Sequence, residues 1–287
     1  MTLRALFLLL CAALLHASWN LLVKRSRDKQ VFTWCSVCAA VFLFSPLVLR
    51  DPGVLRAVDW RLVIASAAVE AAYYGALARA YEQGDYSLVY PIARGSAPAF
   101  IALWAVFLLG ERVSLWGGLG IAMIALGIQA IHQESFLRLR HPLHLLRAPG
   151  TRWALIVGVL ISVYSTIDKV AVGRMPPDRY IVLMFAFVAL LPAPYFLLRR
   201  GVSVIAAEWR ANALPILAVG GMNLLSYLFV LQAMQDANVS YVGAVREMSV
   251  VMAALFGAAL MREGFGLIRT AAACVIFAGV LVIAGYG

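Results

Sequence analysis

Charge is what this sequence has least of. Asp, Glu, Lys and Arg supply 13% of its 287 residues, against about 25% in soluble proteins. Hydrophobic residues supply 63%. A soluble domain of this size has no interior large enough to hide so much apolar surface, so most of the chain is solvated by lipid. Short alternating segments are also lacking, and the apolar runs are long and continuous, which excludes a β-barrel. Cysteine is scarce. Cys11, Cys35, Cys38 and Cys274 all sit within apolar runs, and no disulfide framework follows from them. Cys35-x-x-Cys38 has the spacing of a redox or metal pair, but in a helix beginning Val31-Phe-Thr-Trp it reads as small packing residues. The chain has no His-Glu-x-x-His, no paired-cysteine zinc set and no Walker loop. No enzymatic activity, cofactor or metal is therefore expected. Gly117-Gly118-x-Gly120 lies inside an apolar run, where close helix packing explains it better than phosphate binding.

The charge in excess is positive, +10 net. Lys and Arg mostly punctuate the ends of the apolar runs, where they anchor helices to the interface and to anionic lipid. Membrane lipids, not nucleic acid, are the expected surroundings. At ~20 apolar residues per span, ten transmembrane helices are expected near 3–23, 31–49, 61–81, 87–109, 113–132, 152–172, 179–198, 213–234, 240–261 and 265–284. The first run also has the shape of a signal peptide. Its counterpart in the sixth span (Ser18 and Asn20 beside Thr166 and Asp168) argues for a retained helix.

That counterpart belongs to a duplication. Ala80-Tyr-Glu-Gln-Gly-Asp-Tyr-Ser87, Arg94 and Leu108-Leu-Gly-Glu111 recur about 152 residues later as Ala233-Met-Gln-Asp-Ala-Asn-Val-Ser240, Arg246 and Leu260-Met-Arg-Glu263. So long a period marks a duplicated half-protein rather than a solenoid unit of roughly 20–50 residues. Residues 1–132 form one half and 151–287 the other, with the basic stretch 133–150 as the seam. Five spans per half is odd, so the second half is inverted relative to the first, and equivalent residues meet near the midplane around one cavity. The expected fold is all-α, polytopic, with two inverted-topology five-helix repeats.

These features resemble the drug/metabolite transporter superfamily in its ten-helix EamA-type branch. The residues that carry the resemblance are Ala76-Leu-Ala-Arg-Ala80, the turn from Gly84 to Ser87, Pro91 and Pro98, Leu109-Gly-Glu-Arg112 and their repeats in the second half. His16-Ala-Ser-Trp-Asn-Leu-Leu-Val-Lys24 is also similar to the first helix of that branch. The resemblance covers essentially the whole chain. It implies a secondary-active carrier of a small polar metabolite, amino-acid-like or phosphonate- or phosphate-bearing, working by alternating access across the cytoplasmic (inner) membrane. Proton coupling and export are both compatible with it. The expected partners are the small-molecule substrate and lipid, with the protein a monomer or homodimer. Small four-helix relatives carry a first-helix Glu that binds cation and proton. This chain has no acid there, a departure that argues against a cationic-drug/proton antiporter. A flippase for a lipid or lipid-linked precursor is the alternative on the same fold. A lipid-modifying enzyme would need a metal or nucleophile cluster that the sequence lacks.

An ionisable side chain near the bilayer centre costs ~2.5–3.5 kcal/mol on insertion scales, so each one asks for a reason. Arg94 and Arg246 occupy matching repeat positions. The five-donor planar fork of Arg suits carboxylate, phosphate or phosphonate, which makes both candidate substrate contacts. The alternative is internal pairing, of Arg94 with Glu70 and of Arg246 with Glu247 or Asp168. Glu70, with Tyr73 and Tyr74 one turn later, is a candidate proton-coupling site, because a carboxyl taken out of water binds a proton more readily. Asp168, Glu247 and His16 are further coupling candidates with bland alternatives: a residue at the sixth-span end beside a snorkelling Lys169, an acid facing another helix, and a helix-contact histidine. His16 and Asn20 share a face, with Trp19 beside it. That wall suits a polar solute, although an interfacial aromatic belt also explains Trp19. Tyr74, Tyr90, Asn223 and Tyr227 complete the substrate-binding candidates, with Tyr164 and Tyr241 as polar neighbours on the second half. Pro91 and Pro98 remove backbone donors inside the fourth span and predict a kink or unwound turn there. Pro192 and Pro194 mark a gating bend or a helix end. Glu111 and Glu263, beside Arg112 and Arg262, read as charges at helix termini.

Overall fold

A computed structural model of the chain describes residues 1–26, 28–50, 53–83, 86–131, 149–252, 255 and 267–286. Every regular element among the described residues is helical. The longer helices follow the apolar runs: α1 (Leu3–Arg25), α2 (Lys29–Phe44), α3 (Trp60–Gln83), α4 (Tyr86–Leu109), α5 (Leu115–Ile131), α6 (Pro149–Val172), α7 (Pro177–Leu190), α8 (Val202–Asp236), α9 (Val239–Val245) and α10 (Leu267–Tyr286). By length and composition, six spans among the described residues suffice to cross a bilayer: Leu3–Val23, Lys29–Leu49, Ile92–Leu109, Pro149–Val172, Pro177–Arg200 and Val202–Asp236. Leu115–Ala130 and Thr270–Tyr286 are shorter apolar helices. α3 is as long as these but carries Arg61, Glu70, Arg79 and Glu82, which lower its hydropathy. Large apolar side chains such as Phe7, Phe42, Phe107, Leu115 and Leu198 point outward, as a lipid-facing surface requires. The chain is a polytopic helical membrane protein.

Local chemistry sets several boundaries. The Thr2 hydroxyl caps α1 by accepting from Ala5 N at 3.2 Å. Asp28 caps α2 by accepting from Gln30 N and Val31 N at 3.2 and 3.1 Å. Each satisfies a backbone donor with no intrahelical partner. α6 begins at Pro149, so Pro149 and Gly150 belong to that helix and not to the expected connector; proline is well suited to a first helical position. The rest of the connector, from 133 to 148, lies outside the described residues. So do Gly84, Asp85, Arg262, Glu263 and most of the ninth expected span beyond Met252.

The prolines act differently from expectation in the fourth span. α4 is helical through both Pro91 and Pro98. The irregular turn falls in the ninth span instead, at Arg246–Glu247. There Glu247 N bonds Ala244 O at 3.1 Å, Ser249 N bonds Arg246 O at 3.2 Å and Val250 N bonds Glu247 O at 2.9 Å. These i→i−3 bonds wind the backbone more tightly than an α-helix. In the seventh span, α7 stops at Leu190, and the chain passes Pro192 and Pro194 into a π-turn, Phe196–Arg200. α8 changes direction at Asn212 (φ −135°), because Pro215 has no N–H for the Ala211 carbonyl and its ring crowds that group.

Most of the packing runs between the halves. α3 and α4 lie against α6, and α1 and α2 lie against α8. α5 pairs with α10, α4 with α9, and α7 with both α2 and α3. Exchanging the halves turns α3–α6 into α8–α1 and α3–α7 into α8–α2, and returns α5–α10, α4–α9 and α2–α7 to themselves. Close approach accompanies these pairings. A Cβ at Gly95 would meet Gln129 Nε2 at 2.8 Å, and Gly220 comes similarly close to the Ser36 carbonyl of α2.

Candidate functional site

Between the halves lies a polar cavity of about 90 Å³. On a scale where one water needs roughly 10–15 Å³, that is room for a small solute. α4 contributes Arg94, and the tight turn of the ninth span contributes Arg246 and Ser249. α3 contributes Glu70, Tyr73 and Tyr74, and α8 contributes Asn223, Ser226 and Tyr227. α1 supplies His16 and Trp19, and α6 supplies Tyr164. Of the sequence candidates, His16, Trp19, Glu70, Tyr74, Arg94, Asn223, Tyr227 and Arg246 therefore face one space, while Asn20, Tyr90, Asp168 and Glu247 do not line it.

The two arginines reach the cavity from opposite halves and share one acid. Arg94 Nε lies 3.0 Å from Glu247 Oε2, and Arg246 Nε lies 3.7 Å from Glu247 Oε1. Arg94 Nε and Glu247 Oε2 have no hydrogen-bond partner, so their contact is ionic rather than an aligned hydrogen bond. All three residues are at least nine-tenths buried, Glu247 being 1% exposed. Arg246 Nη2 donates to the Tyr164 hydroxyl at 3.1 Å, and the guanidinium carbon stands 5.9 Å from the centre of the Tyr227 ring. Its Nη1 is buried without a partner, as are Ser249 Oγ, Trp19 Nε1 and Glu70 Oε2. Unsatisfied buried polar atoms are costly, and with Arg94 Nε five of them belong to residues that line this one cavity.

Of the alternative internal pairings, Arg94 with Glu70 is not formed, whereas Arg246 with Glu247 is. Glu247 takes Arg94 because the tight turn aims its carboxylate at α4, while Glu70 faces the cavity from α3. Tyr90, one turn before Arg94 on α4, interacts with that guanidinium and stands behind it. Asn20 spends its amide on its own helix, donating to the His16 carbonyl at 2.8 Å. Trp19 lies against His16 with ring centres 4.9 Å apart and lines the cavity, so the interfacial-belt alternative does not describe it.

Asp168 is not at an interface. It is fully buried and accepts hydrogen bonds from the hydroxyls of Ser66, Tyr180 and Tyr227, which joins α3, α6, α7 and α8 in one knot. It touches the cavity only through Tyr227, whose ring forms part of the wall. Its neighbour Lys169 does not snorkel freely. Lys169 Nζ donates to the Met234 carbonyl and, at 2.9 Å, to the Ala237 carbonyl, closing the C-terminal end of α8. Tyr241 also lies away from the cavity, where its hydroxyl accepts from Ser114 N at 3.0 Å.

Glu111 has a defined structural task. Gly110 adopts φ +67°, which an L side chain rarely does, and Glu111 N reaches back to the Ala105 carbonyl at 2.9 Å. The Glu111 carboxylate then accepts from Val239 N at 2.7 Å and from Ser240 N and Oγ at 3.3 and 2.8 Å. It caps α9, whose own N-cap Asn238 makes no side-chain cap bond. The repeated Gly-Glu and Ser motifs thus meet across the halves. Their counterparts Ser87 and Glu263 lie outside the described side chains.

The sequence reading missed Ser249 and Ser226 as wall residues. Ser249 was legible one turn after Arg246 on the same face, but small hydroxyl residues in apolar helices more often bond their own backbone and attract no attention.

A crystal structure of another protein matches this fold with a TM-score of 0.79, over 98% of this chain and 96% of the other, at 19% sequence identity. At that identity the likeness shows the fold alone. No curated protein matches the sequence. The model of the EamA-like transporter family matches twice, over residues 3–132 and 148–285. Both halves and nearly the whole length are covered, and the chain belongs to the EamA-like transporter family.

Proposed function

We propose that the protein is a secondary-active carrier that moves a small polar metabolite, amino-acid-like or phosphonate- or phosphate-bearing, across the cytoplasmic membrane by alternating access. The observation that carries this reading is the central cavity lined by Arg94 and Arg246, one from each half. Contacts that survive exchange of the halves, together with the odd number of expected spans per half, support ten transmembrane helices in two inverted five-helix repeats. Such a pair of halves has two equivalent ways to rock about a shared site, opening it to either side.

The arginines supply donors for an anionic group, and the tyrosines with Trp19 supply apolar faces and polar edges for the remainder of the solute. Glu70, with one oxygen unpartnered in the cavity wall, is the proposed proton-coupling group. Asp168 is less suited to that role, because three hydroxyls already hold it. No observation favours the lipid-flipping alternative.

The test is a stabilisation screen of purified protein against amino acids, phosphonates and sugar phosphates, followed by uptake of the hits into proteoliposomes. Uptake that depends on Arg94 and Arg246 supports the carrier. Normal uptake by both Arg94→Ala and Arg246→Ala would remove the anionic-solute reading.

A further inference from the structure

The sequence offers two arginines to the solute, and the structure pairs one of them closely with a buried acid. In the first half Arg94 is followed by Gly95, and in the second half Arg246 is followed by Glu247. A Cβ at residue 95 would lie 2.8 Å from Gln129 Nε2 and 3.2 Å from the Ala125 carbonyl, so the matching position on α4 is closely packed on α5 and carries no acid. Glu247 stands behind both guanidiniums, 3.0 Å from Arg94 Nε and 3.7 Å from Arg246 Nε, and does not line the cavity. Among the described residues no other carboxylate lies within ion-pair distance of either arginine. Glu70 is on the α3 wall without such a pair, and Asp168 is held by three neutral hydroxyls.

Resting on the carrier reading above, we infer that Glu247 is the charge selector of this site. It cancels one guanidinium, leaving the arginine pole with a single net positive charge suited to a monoanionic carboxylate and ill suited to a dianionic phosphonate or phosphate. The unsatisfied donors agree with that head group. Arg246 Nη1 and Ser249 Oγ, three residues apart on the tight turn, are both buried and unpartnered, and a carboxylate offers two oxygens to such a pair. Two guanidinium charges would balance a dianion better than one, and Glu247 already neutralises the Arg94 side.

The test uses matched probes that differ only in the head group: glycine, alanine and phenylalanine against their aminophosphonate counterparts, at pH 8, where the phosphonate is dianionic. Binding is read by thermal stabilisation of the full-length protein and by competition for uptake. The wild type should favour each carboxylate by roughly tenfold or more, given the strength of charge interactions away from bulk water. Glu247→Gln, with two uncancelled guanidiniums, should invert the preference. The double variant Arg94→Gln/Glu247→Gln restores one net positive charge and should favour carboxylate again. If Glu247→Gln does not fold, the wild type and the double variant still decide. A wild type that favours phosphonates, or a folded Glu247→Gln that keeps the carboxylate preference, overturns the selector and leaves the carrier standing. Failure of every probe on the wild type sinks the proposed solute class and the selector with it.

Discussion

The two halves place equivalent positions around the cavity but not equivalent chemistry. Glu70 corresponds to Asn223 in the repeat, Tyr73 to Ser226, Tyr74 to Tyr227 and Arg94 to Arg246, and all eight line the same space. Yet among the described residues the first half brings the acid in the wall, Glu70, while the second half brings Glu247, which does not line it. Position is inherited from the duplication; charge is not. In the proposed carrier the paired halves supply the rocking geometry, and the asymmetric charges are the proposed anion-binding pole and proton-binding wall.

Arg94 and Arg246 offer the sharpest way to break this comparison. Removing either should lower uptake by more than about a hundredfold, equivalent to ~3 kcal/mol. Their effects on stability should differ. Arg94→Ala strands Glu247, 1% exposed, beside a single arginine 3.7 Å away, and losing one partner of a buried pair costs roughly 3–5 kcal/mol. Arg246→Ala leaves the 3.0 Å Arg94–Glu247 pair intact and should unfold near the wild-type temperature. Equal destabilisation of the two, measured by thermal unfolding in detergent, would contradict the proposed pairing.

A second contrast sets Asp168 against its counterpart Asn20. Asp168→Ala removes the acceptor for three buried hydroxyls and should cost about 1–3 kcal/mol or more. Asn20→Ala removes one bond to the backbone of its own helix and should be close to neutral. A denaturation series that ranks them the other way would show that the buried knot is not structural.

Glu70 and Asn223 test the proton-binding wall. Glu70→Gln should still exchange solute across the membrane but lose any accumulation driven by a pH gradient. Asn223→Ala should keep coupling and change apparent affinity by less than about tenfold, the ~1.4 kcal/mol scale of one or two hydrogen bonds. Gradient-driven accumulation that persists in the Glu70 variant would assign coupling elsewhere. A modest effect is expected at the motif that joins the halves: Glu111→Ala removes the cap of α9 and should cost about 0.5–2 kcal/mol, read as a lowered unfolding temperature.

Much of this was legible in the chain. Apolar runs of bilayer length announced the membrane, and the repeated Arg94/Arg246 and Glu111/Glu263 spacing announced two halves. The family match over residues 3–132 and 148–285 agrees with the resemblance read from those motifs. The pairings of the ionisable groups were less legible. Arg94 looked equally able to meet Glu70, and Asp168 looked like a residue near a helix end. Proline chemistry pointed to a broken fourth span, whereas the tight turn formed at Arg246–Glu247, where no proline stands.

What the sequence determined alone is what lipid solvation and helical periodicity dictate: helices, their approximate ends, and which residues share a face. Which charge meets which depends on how neighbouring helices rotate and how closely they approach. Contacts such as Gly95 against Gln129 set those quantities, and they exist only once α4 is packed on α5. Rotating a helix by one residue, about 100°, exchanges one partner for another, so a choice such as Glu247 over Glu70 belongs to the tertiary structure.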